Sequence, residues 1–392
     1  MRVRKKAIEA GDRASFTQEP ASLTCKAQDK KRARKIVAGL VALTLLVLLI
    51  APVFITVYIY RANFGQRYTT PAYYAFKPEE FPDLKFTKHC FPSQHGQRLT
   101  GYYYYIAGAD PQAILILVHG FGGGHNSYMD IANFFAHQGF GVFAYDATGN
   151  DESEGAGVVG PPQGLIDLDY GISYVEQSGL FPQVPIVLWG HSWGAYAALS
   201  VLKFHPEIQA VASFSGCNTP LDIIEAQGRD QVGWGMALLM PYLRAYEKIR
   251  FGKYAGLTAQ EGFATAKTPV MFIQGSADPT IPPALAYDIW QAAYADDPRF
   301  RFILRSGFGH NSVYYKQEAI DYLAAFKQDY QAWEAQLSYD PHAKAHQERY
   351  LQDKSAYVEE KLDRYVWTHL LDEKLMQEVA AFYKQQIQGP ET

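Results

Sequence analysis

PIVLWGHSWGAYAALSVLKFH, Pro185 to His205, decides the fold of this chain. An apolar run of strand length, the pentapeptide G-x-S-x-G at Gly190 to Gly194, and an alanine-rich run of helix length follow one another without a gap. The pentapeptide alone is weak, because average Gly and Ser usage gives on the order of 0.1 chance matches in a chain of this length. Between a strand and a helix it becomes specific. So sharp a turn forces its serine into an unfavourable backbone conformation, and side chains at Gly190 or Gly194 would collide with the neighbouring strand and helix. The Ser192 hydroxyl then projects from the C-terminal edge of a sheet.

The same rhythm extends to both sides. "AILILVHG", Ala113 to Gly120, precedes a helix-length segment from His125 to His137, and "GVFAYD", Gly141 to Asp146, precedes a helix from about Gly164 to Ser178. "AVASFSG" from Ala210, "PVMFIQGSADP" from Pro269, a helix near Pro283 to Ala295 and "RFRFILRSGFGH" ending at His310 continue the alternation. Buried apolar strands alternating with helices of ten to fifteen residues predict an α/β fold with a mostly parallel sheet covered on both faces. Such sheets hold their chemistry at the C-terminal strand ends. Ahead of them, "LKFTKHCFPSQHGQRLTGYYYYI" predicts an antiparallel hairpin turning near His95 and Gly96. The rhythm breaks at about 218–267, where an insertion at the active end of the sheet is expected to form a helical cap.

The 392 residues are 48% hydrophobic and 19% charged, so a large buried core is expected. Residues 1–35 carry eleven Lys or Arg against four Asp or Glu, a net +7, which leaves −11 on the rest of a chain whose total is −4. The basic part is followed by "IVAGLVALTLLVLLIAPVFITVYIY", Ile36 to Tyr60, whose only ionisable side chains are two tyrosines at its end. As a helix it reaches roughly 37 Å, enough to cross a bilayer core of about 30 Å. Thirty-five residues precede it and no A-x-A site follows, which disfavours a cleaved signal peptide. "KKRARK", Lys30 to Lys35, lies before the run and only Arg61 and Arg67 follow closely. The basic-side rule therefore predicts a signal anchor with a cytoplasmic N-terminus and an extracytoplasmic body. The flanking role explains this cluster without a nucleic-acid partner. The expected order is a basic tail over 1–35, a transmembrane helix over 36–60, a stalk over 61–80, the catalytic domain over 81–336 and a helical extension over 337–392. Cys90 and Cys217, the two cysteines on the exported side, are too few for a disulfide framework and are not expected to pair. In the extension Val358, Leu362, Val366, Leu370, Leu371, Leu375, Val379 and Phe382 recur at three or four, predicting one buried stripe on a long helix or a pair of helices packed against the body.

A serine hydroxyl is a poor nucleophile until a base takes its proton. His310 closes "SGFGH" directly after the last strand, and Asp278 in "GSADPTIP" follows the strand before it, so Ser192, Asp278 and His310 stand in the chain order this strand sequence requires. His342, His346 and His369 in the extension are weaker rivals as base, and Asp296 and Asp297 fall past the end of a helix. His342 and His346, four apart, lack a placed acidic or cysteine partner, and no metal site is expected there. "HGFGGG", His119 to Gly124, follows the third strand. Its glycine-rich loop, supported by His119 and Gly120, aims the backbone N–H of Phe121 at the same point as that of Trp193, a pair suited to an oxyanion.

On the stretches "LVHGFGG", "YDATGNDESEG", "LWGHSWGAYAA", "GSADPTIP" and "GFGH", residues 81–336 resemble the α/β-hydrolase fold, closest to the branch of monoacylglycerol lipase-like hydrolases and serine aminopeptidases. The second stretch departs from that branch's D-x-R-G-x-G-x-S-x-G, with Thr148 and Asn150 where Arg and Gly-rich neighbours are common. The anchor and the extension lie outside the resemblance.

The expected activity is that of a membrane-tethered serine hydrolase working through an acyl-enzyme, chemistry that requires no metal or cofactor. Its substrate is expected to be a small-molecule or lipid-like acyl ester, with Trp234, Met236, Leu238, Leu239 and Met240 of the cap as candidate acyl-site residues or as the cap's own core. A peptidase for short peptides, with Asp222 or Glu225 holding the substrate ammonium, is the second reading, and a non-catalytic anchored binding protein the third.

Overall fold

A computed structural model describes residues 21–388; residues 1–20, which include most of the expected basic tail, and 389–392 lie outside the described residues. Two compact units are distinguished, residues 1–55 and 56–392. In the first, the described residues begin helix α1 (Ala21–Phe64), whose 30–64 portion is long and apolar enough to cross a membrane by length and composition. The last turns of α1 belong to the second unit, where Thr56 and Tyr60 are buried. The apolar run expected to span over 36–60 therefore gives its final five residues to the domain. The twenty left, about 30 Å as a helix, still match a bilayer core.

The second unit is built on strands β1 (Leu84–Pro92), β2 (Arg98–Ile106), β3 (Ala113–Val118), β4 (Phe140–Tyr145), β5 (Ile186–His191), β6 (Ala210–Phe214), β7 (Val270–Gly275) and β8 (Phe300–Arg305). They form one sheet in the order β1-β2-β4-β3-β5-β6-β7-β8. β1 and β2 form the antiparallel hairpin, β2 also runs antiparallel to β4, and every later pairing is parallel. Period-two alternation explains why β3 and β5 read as unbroken apolar runs: Ile114, Ile116 and Leu188 enter the core on one face, Leu115, Leu117, Val187 and Trp189 the core on the other.

Helices α2 (Met129–His137), α3 (Pro162–Gln177) and α4 (Trp193–Ser200) alternate with the strands, and α5 (Pro220–Val232), α6 (Gly235–Phe251) and α7 (Ala259–Thr265) occupy the segment between β6 and β7. α8 (Tyr287–Tyr294) and α9 (Gln317–Glu334) follow. The extension differs from the long helix or pair expected: it holds α10 (Gln347–Lys361), α11 (Arg364–Thr368) and α12 (Glu373–Gln388). Asp363 and Asp372 cause the breaks, because their carboxylates accept the N–H groups of Tyr365, Val366 and Leu375 and start new helices. Leu375, Met376, Val379 and Phe382 of α12 bury against the α2 face of the sheet, and Tyr383 donates to the Leu188 carbonyl at 2.6 Å.

The segment expected as a stalk over 61–80 is docked on the domain. Arg67 donates to the carbonyls of Gly155, Asp151 and Ser153, the Tyr68 and Asn150 backbones form a bridge, and Arg364 of α11 binds Glu80 and the carbonyls of Tyr73 and Ala75. Polar, aromatic composition reads as a spacer when such partners, far off in sequence, are not visible.

Candidate active site

Ser192 occupies the turn from β5 into α4 with φ +56° and ψ −117°, a left-handed conformation that L residues rarely adopt. The turn closes only because its flanks are glycine. A Cβ on Gly190 would lie 2.6 Å from the Gly194 carbonyl oxygen, and one on Gly194 would lie 2.1 Å from that of Val118 on β3. Ser192 N–H donates to Phe214 O at 2.8 Å, fixing the turn to β6.

The loops after β7 and β8 bring the other two candidates to this edge. His310 Nε2 lies 2.8 Å from Ser192 Oγ, and His310 Nδ1 lies 2.7 Å from Asp278 Oδ2. Because a carboxylate only accepts, Nδ1 carries the proton and Nε2 is left to accept from the serine O–H. Asp278 is held in turn: Oδ1 accepts the N–H groups of Thr280 and Ile281, and Oδ2 accepts the Gln274 amide at 3.1 Å. Burial alone would raise its pKa, but the hydrogen bond and charge of His310 and the Ile281 N–H outweigh it and hold the carboxyl below its usual value. The rivals lie elsewhere. His346 and His369 bond to the carbonyls of Asp340 and Tyr365, and Asp297 pairs with Arg299.

A chain of hydrogen bonds that the sequence reading missed ties these parts together. Gly120 N–H donates to Tyr128 Oη at 3.0 Å, Tyr128 O–H to His191 Nδ1 at 2.9 Å, and His191 Nε2–H to the His310 carbonyl at 3.1 Å. Burial lowers the His191 pKa to about 3, so its imidazole is neutral, with the proton on Nε2 and Nδ1 accepting from Tyr128. The signal was in the pentapeptide, since a histidine between Gly190 and Ser192 must leave the turn on the side opposite the serine. His119 fixes the glycine loop: its Nε2 accepts Ala147 N–H at 2.9 Å and its Nδ1 donates to Gly120 O at 2.7 Å. Among the described residues the N–H groups of Phe121 and Trp193 meet no protein acceptor. In the loop after β4 the departure from the branch pattern falls at Asp151 rather than Asn150. Asp151 has φ +32° where the pattern has glycine, and its carboxylate bonds to Thr70 N and Oγ1 at 2.6 and 2.9 Å.

Ser192, Phe121 and Trp193 open into a cavity of about 440 Å³. The segment expected as a cap contributes Ile223, Ile224, Val232, Met236, Leu239 and Leu243, and α1 contributes Thr56, Ile59, Tyr60, Asn63 and Phe64. Among the described residues no Asp, Glu, Lys, Arg or His is in the lining. Of the cap residues singled out from sequence, Met236 and Leu239 line the cavity, Met240 is buried in the core, and Trp234 and Leu238 face outward. Asp222 and Glu225 are outside the lining, and Glu225 is taken up by Arg229 at 2.6 Å. Cys90 and Cys217 are free thiols. Among the described residues one group of metal-ligand type exists, Glu176, His205 and Glu207; it is away from the cavity lining, and both His205 ring nitrogens are already bonded, to Asp169 and Glu207.

The parallel sheet with its antiparallel first hairpin, the serine on the β5–α4 turn, and the match of residues 109–255 to the family described as serine aminopeptidase, S33, belong together. The chain has the α/β-hydrolase fold. Similar solved structures include an esterase of Pyrococcus furiosus, 15% identical over 69% of this chain and 95% of that one, with a TM-score of 0.49. They also include a putative dienelactone hydrolase of Klebsiella pneumoniae, 18% identical over 65% and 99%, TM-score 0.43, and a puromycin-hydrolyzing peptidase of Mycobacterium tuberculosis, 18% identical over 62% and 37%, TM-score 0.44. No curated protein matches the sequence. The family match ends at residue 255, ahead of Asp278 and His310.

Proposed function

We propose that this chain is a membrane-anchored serine hydrolase that cleaves an acyl ester. The observation that carries the reading is the 2.8 Å approach of His310 Nε2 to Ser192 Oγ at the wall of an uncharged, largely apolar cavity. As Oγ attacks the ester carbonyl, His310 takes the hydroxyl proton on Nε2, and Asp278 stabilises the resulting imidazolium through Nδ1–H. The Phe121 and Trp193 N–H groups receive the oxyanion, each worth roughly 3 kcal/mol in the transition state. His310 then returns the proton to the leaving alkoxide, and a water deprotonated by His310 releases the acid and restores Ser192.

The same reading puts residues 36–55 in the membrane, the basic N-terminus in the cytoplasm and the hydrolase domain on the outer face. An ester is favoured over a peptide because a carboxylate to receive a substrate ammonium is missing from the cavity lining. Fluorophosphonate labelling of the full chain, lost in Ser192→Ala, is the expected result; a folded chain that takes no label refutes it. A panel of acyl esters and aminoacyl amides then separates esterase from peptidase, and preferential turnover of the amides overturns the ester assignment. Protection of the domain from protease added to intact cells overturns the topology.

A further inference from the structure

Five residues of the cavity wall come from α1. Thr56, Ile59, Tyr60, Asn63 and Phe64 recur at three or four, so they make one helix face, and that face lines the cavity containing Ser192. The face is held in place. Tyr60 donates to Glu247 on α6 at 3.0 Å, and the backbone at Gly160 approaches so closely that a Cβ there would lie 2.0 Å from Tyr60 Oη.

Order along the helix gives the cavity a direction. The Phe64 ring packs edge-on against Phe121, centroids 5.8 Å apart, and Phe121 packs on Trp193 at 5.6 Å, so the Phe64 end is the Ser192 end. Thr56 lies eight residues further along, about 12 Å, where the chain passes into the apolar run. Of the apolar lining residues the most exposed are Ile59 on α1, at 47%, and Val232 on α5, at 55%, which makes them the apolar lips of an opening where Asn63, Gln227, Gln231 and Thr280 are exposed as well. Trp234, two residues beyond Val232, is 80% exposed.

We propose that the Thr56–Phe64 face is the acyl-selecting wall of the site, and that a lipid ester enters between Ile59 and Val232 from the bilayer leaflet beside α1. The proposal rests on the serine-hydrolase reading above. A lipid in that leaflet carries its ester at the interface and its chain toward the bilayer centre. The cavity has the same polarity, with the reacting hydroxyl at one end and, at the other, Thr56, which follows the apolar run in sequence. On that order a lipid need not invert to place its carbonyl at Ser192. The uncharged lining suits a chain and a neutral head, since an ionised head would be stripped of water without a partner.

The test uses the full chain in phosphatidylcholine vesicles. A fluorophosphonate with an alkyl chain of about ten carbons, a length that a cavity of this volume accommodates at ~30 Å³ per small group, carries a terminal diazirine and is photolysed after reaction with Ser192. Crosslinks within 56–64 are expected; crosslinks found only elsewhere overturn the proposal. In parallel, the ratio of kcat/KM for a long-chain ester to that for a short-chain ester is measured. Ile59→Trp lowers the ratio by about fourfold for each methylene displaced, whereas Leu48→Trp, in the apolar run outside the cavity, leaves it unchanged. An unchanged ratio in Ile59→Trp, with Ser192 labelled at the parental rate, overturns the wall. A parental chain that no fluorophosphonate labels overturns instead the hydrolase reading beneath it, so the two failures are distinguished.

Discussion

Replacing Glu247 by Gln should stabilise the domain at alkaline pH and do little at acid pH. Glu247 is 2% exposed on α6, accepts one hydrogen bond, from Tyr60, and is in no ion pair among the described residues. Burial raises its pKa from 4.5 to about 7, with the Tyr60 hydrogen bond pulling the other way. A carboxyl that binds its proton more tightly folded than unfolded favours the folded state at low pH. That contribution is complete below the unfolded value and is lost as pH rises through the folded one. The difference of about 2.5 units, at about 1.36 kcal/mol each, amounts to roughly 3 kcal/mol of lost stability above pH 8. Gln keeps an acceptor for the Tyr60 O–H and carries no charge, so the variant avoids the loss. With an unfolding entropy of about 2.1 cal/mol/K per residue over the unit of residues 56–392, this is a Tm rise of about 5 °C near pH 8.5. At pH 5 the rise should shrink to about 1 °C. Thermal unfolding of the full chain in detergent micelles at the two pH values measures it. A variant no more stable than the parent at pH 8.5 would refute the burial of Glu247 against α1, and with it the packing that makes α1 a wall of the cavity.

Gly194→Ala sets a Cβ 2.1 Å from the Val118 carbonyl and 2.6 Å from that of His119, backbone atoms that cannot step aside. A loss of about 3 kcal/mol or more is expected, read as a fall in Tm or in folded yield, and an unchanged Tm refutes the close-packed turn. Asp278→Asn removes the acceptor that fixes the proton on His310 Nδ1, so kcat should fall on the order of 10⁴-fold; a fall below tenfold in folded protein refutes the orienting role. His191→Phe strips a donor from the His310 carbonyl and an acceptor from Tyr128. A fall of about 10- to 100-fold in kcat with KM little changed is expected from a loosened His310, and a parental kcat refutes the positioning role.

Local signals made most of this fold legible. β3, β5 and β7 are bounded by glycine and buried on both faces, so each announces itself within eight residues, and the turn at Ser192 combines strand, strain and helix in one quoted stretch. Asp278 and His310 could be put forward as candidates for the same reason, each lying a few residues beyond such a strand. What stayed hidden depends on partners distant in sequence. Arg364 reaching Glu80, and Tyr60 reaching Glu247, have no pattern of their own, so 61–80 reads as a spacer and Thr56 to Tyr60 reads only as membrane. The three-helix extension could have been resolved, because Asp363 and Asp372 are helix-starting residues set inside a stripe whose period continues across them.

Two segments outside the family match complete the domain from opposite sides, and they do different work. α12 closes the face of the sheet away from α3 and α4, and Tyr383 reaches the carbonyl of Leu188, four residues before the serine. Removing it would expose a strip of the central core along with an orphaned backbone acceptor, so truncation there should cost stability throughout the sheet rather than selectivity. The end of α1 closes the cavity above the sheet edge, and on the function proposed above changes at its exposed Ile59 should alter which ester reacts before they alter whether the domain folds. The two effects are separable because the sheet stands between them: one terminus buttresses the strands that hold Ser192, and the other shapes the space into which its hydroxyl points.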